Sequence, residues 1–228
     1  MKILLFLSFL LICISACKQD SSFTPERLQH YVHSKDNGFS VQKTKGQFQY
    51  GFRYLPNNYR ILKSMNFQLR DTVQYQRLLQ ETRGEHTILF QIASTKKHRT
   101  LEDIYKQKGK SIPWEDVLKI LTFRSQQAFE LKINNEWLPC RLYHLLPSIN
   151  ILDGYQFMLV FEDSNKLETS EYQEGLEFRY KDSYFSGETI HFAISQNRLN
   201  EIPQLSKDQH SDQITVRSQI QDIDLVCL

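Results

Sequence analysis

The sequence predicts an α+β fold, a mainly antiparallel sheet accompanied by a few short helices, and three observations carry that prediction. Short runs alternate large apolar with polar residues at the period of a strand, as in Phe48, Tyr50, Phe52 and Tyr54 against Gln47, Gln49, Gly51 and Arg53. Turn-forming pairs such as Lys45-Gly46, Asn134-Asn135 and Ser186-Gly187 separate neighbouring runs, and connections that short suit antiparallel pairing. Helix signals are few and local, so no helical crossover pattern for a parallel sheet emerges.

The elements follow in order. Thr24 is placed to cap exposed amides, Pro25 suits a first helical position, and the Asn37-Gly38 pair offers a stop, which predicts a helix from Thr24 toward Gly38. Two strands joined at Lys45-Gly46 fill Phe39 to Leu55, ended by Pro56-Asn57-Asn58. Tyr59 to Thr82 reads as helical or mixed, and Arg83-Gly84 breaks it before a strand from His86 to Ala93. After the basic loop Lys96-Lys97-His98-Arg99 come helices over Leu101 to Gln107 and Pro113 to Phe123, the second with Trp114, Val117, Leu118 and Leu121 on one side. Strands then dominate: Ala128 to Ile133, Trp137 to Leu145, Tyr155 to Phe161, Leu176 to Tyr180 and Thr189 to Ile194. Asp208 to Asp212 is a polar loop, and Gln213 to Leu228 is expected to add a final edge strand.

The amino-terminal end carries an address. Lys2 precedes an apolar run from Ile3 to Ile12, interrupted only by Ser8, and then small residues, the layout of a cleaved secretory signal. That run is too short for the roughly 20 apolar residues of a spanning helix. Ile14-Ser15-Ala16-Cys17 resembles the lipobox of bacterial lipoproteins: a branched aliphatic, two small residues and a cysteine. The resemblance implies diacylglycerol on the Cys17 sulfur, cleavage after Ala16 and an acylated new amino terminus. A two- or three-chain anchor holds essentially permanently, at about 0.8 kcal/mol per buried methylene. Asp71-Thr72-Val73 resembles a short O-glycosylation motif of Bacteroidota, pointing to Thr72, and Lys18-Gln19-Asp20 partly matches that group's surface-export tag, with Gln19 breaking the acidic pattern. The expected organisation is therefore a signal peptide over 1–16, a lipidated tether over 17–23, and one globular domain over 24–228.

Composition excludes one class and leaves others open. Loss of the signal lowers the formal net charge from +2 to +1 by removing one lysine, and a nucleic-acid binder shows a clearer basic excess. With Cys17 acylated and Cys13 removed, Cys140 and Cys227 are the one pair left to bridge, two separately buried thiols being the alternative.

Candidate chemistry is sparse. Glu26, His30 and His33 fall at i, i+4 and i+7 of the first helix, a metal-ligand spacing that equally describes a solvated polar face. Glu162, Asp163, Glu168, Glu171, Glu174 and Glu177 supply carboxylates of the kind a glycosidase pairs, in what reads as a charged connection between strands. Cys140 and His144 share strand parity, which would serve a nucleophile and base or two packing residues. Lys96, Lys97, Arg99, Lys106, Lys108 and Lys110 gather near an anionic surface or glycan in one reading and along a solvated loop in the other. Tyr50 and Tyr54 either line a sugar- or peptide-binding platform or, as a one-sided aromatic strand prefers, face the core. No nucleophile-elbow, zinc-protease or phosphate-loop pattern occurs. The expectation is a non-catalytic, lipid-anchored protein of the outer membrane, without cofactor, that binds an envelope protein or a glycan; the alternative is a tethered hydrolase.

Overall fold

The computed structural model describes residues 24–68, 71–146, 154–164 and 173–203. Its elements are α1 (Pro25–His33), β1 (Ser40–Lys45), β2 (Phe48–Leu55), α2 (Asn57–Ser64), α3 (Thr72–Glu81), β3 (Glu85–Ser94), α4 (Leu101–Gln107), α5 (Trp114–Phe123), β4 (Phe129–Ile133), β5 (Glu136–Leu146), β6 (Tyr155–Glu162), β7 (Leu176–Lys181), β8 (Thr189–Ile194) and α6 (Gln196–Asn200), with single 3-10 turns at Lys35–Asn37 and Ser125–Ala128. This is the expected α+β class. Every strand pair is antiparallel, in the order β1-β2-β3-β6-β5-β4-β7-β8. Among the described residues no helix is long and apolar enough to cross a membrane.

Local chemistry explains the boundaries. The Thr24 side chain accepts from the Arg27 amide as foreseen, but α1 stops at His33, and the chain makes a 3-10 turn before Gly38 reverses it in the left-handed region at φ 72°. The stretch read as helical or mixed resolves into two helices. Asn66 and Phe67 both adopt left-handed backbone, and the Phe67 amide donates to the Leu62 carbonyl at 2.7 Å, closing α2. Asp71 then caps α3 through the Gln74 amide at 2.8 Å. Asn134 and Asn135, at φ 45° and 66°, turn β4 into β5 as the hairpin signal required. Helix α6 was not foreseen. The edge strand expected over 213–228 lies outside the described residues.

Register puts one aromatic face on the inside. Phe52 pairs with Phe90, Phe90 with Phe157, Phe129 with Tyr180, Leu131 with Phe178, and Phe178 with Phe192. Phe90 sits at the centre of this cluster, its ring 4.9 Å from Tyr180, 5.4 Å from Phe178 and 5.5 Å from Phe129. Tyr50 and Tyr54 are fully buried, so the aromatic face of β2 belongs to the core. Each fully buried side chain of this size contributes about 1.5–3 kcal/mol relative to an exposed one.

The sheet coils until its end strands approach each other. The Lys43 ammonium on β1 donates to the His191 carbonyl on β8 and lies 5.2 Å from the Phe192 ring centre, while Lys45 pairs with Glu188 at 2.8 Å. Across the interior, Phe52 stacks on Phe192 at 5.1 Å. No backbone ladder joins β1 to β8 among the described residues, so the barrel is left with a seam bridged by side chains.

Helices occupy the two rims. At one, the Tyr31 hydroxyl of α1 donates to the Arg198 carbonyl of α6 at 2.9 Å, and the Asn58 amide of α2 donates to the Pro203 carbonyl at 2.8 Å. The other rim holds α4 and α5, where Trp114 packs 5.5 Å from Tyr105 and 6.1 Å from Tyr155, and Lys108 donates to the Phe185 carbonyl at 2.9 Å.

Candidate functional site

Strand β5 changes partner midway. Residues Glu136 to Pro139 pair with β4, residues from Cys140 onward pair with β6, and the register shifts between Cys140 and Leu142. Arg141 is thus the extra residue of a β-bulge, a device common beside functional sites. Beyond the bulge β5 has lost β4, and Gln126 of the preceding 3-10 turn takes its place, the side-chain amide donating to the Cys140 and Arg141 carbonyls at 2.5 and 3.0 Å.

A groove of about 460 Å³ opens at this partner switch, lined by Gln126, Gln127, Glu130, Trp137, Pro139 and Cys140 among others. Trp137 is half-buried, and the Arg179 guanidinium carbon lies 3.7 Å from its ring centre. Arg179 is itself held by Glu130 at 2.8 Å, and Glu130 also takes Lys181 at 2.9 Å. Burial alone would raise the Glu130 carboxyl, but the adjoining Lys181 and Arg179 hold it below the usual range. The indole N–H of Trp137 and the exposed Gln127 amide make no hydrogen bond within the described residues. The groove therefore offers a fixed aromatic plate, two donor groups unpaired among the described residues and a local excess of positive charge. Such a surface suits recognition by stacking and hydrogen bonding.

The other residues singled out by sequence do not converge on it or on one another. The bulge reverses parity within β5: Cys140 is 4% exposed and pairs with buried Phe161, whereas His144 is exposed and pairs with Met158 on the outer face. A Cys140–His144 dyad is therefore ruled out, and burial pushes the Cys140 thiol up to about 12, far from a thiolate nucleophile. Cys227 lies outside the described residues, as do Cys17, Glu168 and Glu171. The remaining carboxylates are dispersed: Glu162 pairs with Arg141 at 3.1 Å, Glu177 with Lys132 at 3.6 Å, Glu174 accepts from Asn135 at 3.1 Å, and Asp163 is buried. Glu26 and His30 are exposed, while His33 shares a 2.9 Å hydrogen bond with the Tyr59 hydroxyl. Among the described residues no group of three His, Cys, Asp or Glu is disposed to hold a metal ion. Thr72 is exposed in the first turn of α3, beside Val73 at 79% exposure.

Two buried polar centres escaped the sequence reading. Asp182, at the end of β7, accepts from the Tyr50 hydroxyl at 2.5 Å, from the Ser186 hydroxyl at 2.8 Å, and from the amides of Tyr184, Phe185 and Ser186. His86, 1% exposed on β3, hydrogen-bonds the Tyr54 hydroxyl at 3.0 Å, and burial lowers its pKa to about 3. Both continue the inward phase of their strands, His86 before Ile88 and Phe90, Asp182 after Phe178 and Tyr180. That phase was the available signal. Trp137 had a weaker one: a large aromatic on the outward phase, two residues before a proline inside a strand.

The fold and groove define an α+β protein built on a coiled, eight-stranded antiparallel sheet. No protein-family model matches the chain, and no curated protein matches its sequence. Two solved structures are similar in part. A novel protein of unknown function from Burkholderia pseudomallei is 12% identical with a TM-score of 0.37, covering 82% of this chain and 96% of its own. A DUF4426 family protein from Pseudomonas aeruginosa is 8% identical with a TM-score of 0.31, covering 69% of this chain and 94% of its own.

Proposed function

We propose that this chain is a lipid-anchored envelope protein that binds a ligand or partner protein in the groove beside Trp137. The observation that carries the binding role is the Trp137 plate, stacked on Arg179 at the mouth of a bulge-lined groove, its N–H without a partner among the described residues. The anchor rests on the lipobox resemblance at Cys17, and O-glycosylation at Thr72 belongs to the same envelope setting.

Two variants test the two halves separately. Trp137→Ala is expected to lose, in affinity capture from detergent-solubilised membranes, the partner that the wild type retains, with an unfolding midpoint within about 1–2 kcal/mol of wild type because the ring is only half-buried. Identical capture by the two proteins would overturn the groove assignment. Cys17→Ala is expected to block acylation and normal processing; a variant still cleaved and membrane-bound would overturn the anchor.

A further inference from the structure

The basic loop and the start of the described chain occupy opposite rims. Helix α1, which begins one residue after Thr24, packs with α2 and α6, whereas the segment 96–110 follows the far end of β3. The ten residues of β3 separate the rims by roughly 20–30 Å at about 3.3 Å per residue. A surface that far from anionic headgroups lies beyond the Debye length of about 8–10 Å.

Within that segment six cations stand against two carboxylates, a local +4 in a chain whose formal net charge is +2, so all other residues together carry −2. The fold also concentrates these cations. Arg99 donates to the Gln107 side chain at 2.9 Å, which ties the 96–99 loop to the end of α4, the helix that carries Lys106 and leads into Lys108 and Lys110. Both carboxylates have local duties: Glu102 pairs with Lys106, and Asp103 closes a capping box with Thr100. Lys108 reaches across to the Phe185 carbonyl and the Phe48 ring. Lys96, Lys97 and Lys110 are exposed and make no ion pair within the described residues.

We propose that this rim binds an acidic glycan, a polymer bearing repeated carboxylate or phosphate groups, on the side turned away from the anchoring membrane. The orientation rests on the lipid-anchor reading; the binding does not. Spread lysine point charges suit a polymer whose anions recur and whose register is tolerant, better than one fixed anion held in an arginine fork. Direct attraction to the anchoring membrane is disfavoured by distance.

The test uses the full-length protein in detergent on immobilised polygalacturonate, with polyphosphate and anionic-lipid vesicles as the other arms. Wild type is expected to bind the carboxylate or phosphate polymer at about 50 mM salt and to weaken steeply by about 200 mM, as counterion release requires. The triple variant Lys96→Gln/Lys97→Gln/Lys110→Gln is expected to lose on the order of five-fold in affinity per lysine, with unchanged thermal unfolding. Equal polymer binding by variant and wild type would overturn the proposal, as would wild-type binding to vesicles but to neither polymer. Cys17→Ala keeps the two readings apart: it should abolish acylation while leaving polymer binding intact.

Discussion

Asp182→Ala is expected to destabilise the protein by about 3–5 kcal/mol, the cost of stripping a buried carboxylate from the groups arranged around it. Five donors converge on this side chain, three of them backbone amides of the loop that joins β7 to β8, and the residue is 4% exposed. Removing the acceptor strips those amides of their partner and leaves the buried Tyr50 hydroxyl and Phe185 amide unsatisfied. In denaturant titration the midpoint should fall with little change in slope, and the melting temperature should drop by roughly 10 °C. Ser186→Ala removes one donor of the five and should cost only about 1 kcal/mol. An Asp182→Ala protein within about 1 kcal/mol of wild type would show that the loop is held by other contacts.

The second large effect is a loss of stability in mild acid through His86. Its pKa is about 3 in the fold, lowered by burial, against about 6.5 when the chain is unfolded. Above pH 6.5 both states hold the neutral imidazole and the fold is unpenalised. As the pH falls from 6.5 toward 3 only the unfolded chain takes up the proton, so stability declines by up to about 1.4 kcal/mol per pH unit and levels off below 3. By pH 4.5 the loss should approach about 3 kcal/mol. His86→Gln retains a polar partner for the Tyr54 hydroxyl without a titrating ring, so its stability should be flatter between pH 6.5 and 5, where few carboxylates titrate. Parallel slopes for wild type and variant over that window would refute the assignment.

Strand existence was legible because the inward residues are aromatic and regular; Tyr50, Phe52 and Tyr54 announce β2 without any tertiary information. Strand order was not. The neighbour of β3 is β6, which lies beyond two helices and the β4–β5 hairpin, and nothing local records that pairing. The bulge at Arg141 was equally silent, and it decides the site: by inserting one residue it sends Cys140 inward and His144 outward, and it opens the groove beside Trp137. Period-two reasoning fails wherever a strand changes partner, because parity is then set by backbone pairing rather than by residue type. The basic segment was visible as composition, but its distance from the amino end depends on which rim each helix caps.

The seam bears on how the protein behaves at high concentration in solution. A sheet that ends in free strands normally offers them to other molecules as templates for uncontrolled association. Here the terminal strands turn toward each other, and Lys43 and Lys45 lie across the intervening gap, on the His191 carbonyl of β8 and on Glu188 just before it. Each edge therefore screens the other, and the lysines discourage a foreign strand from entering. Opening that gap, rather than unfolding the aromatic interior, is the step by which such a molecule would begin to self-associate.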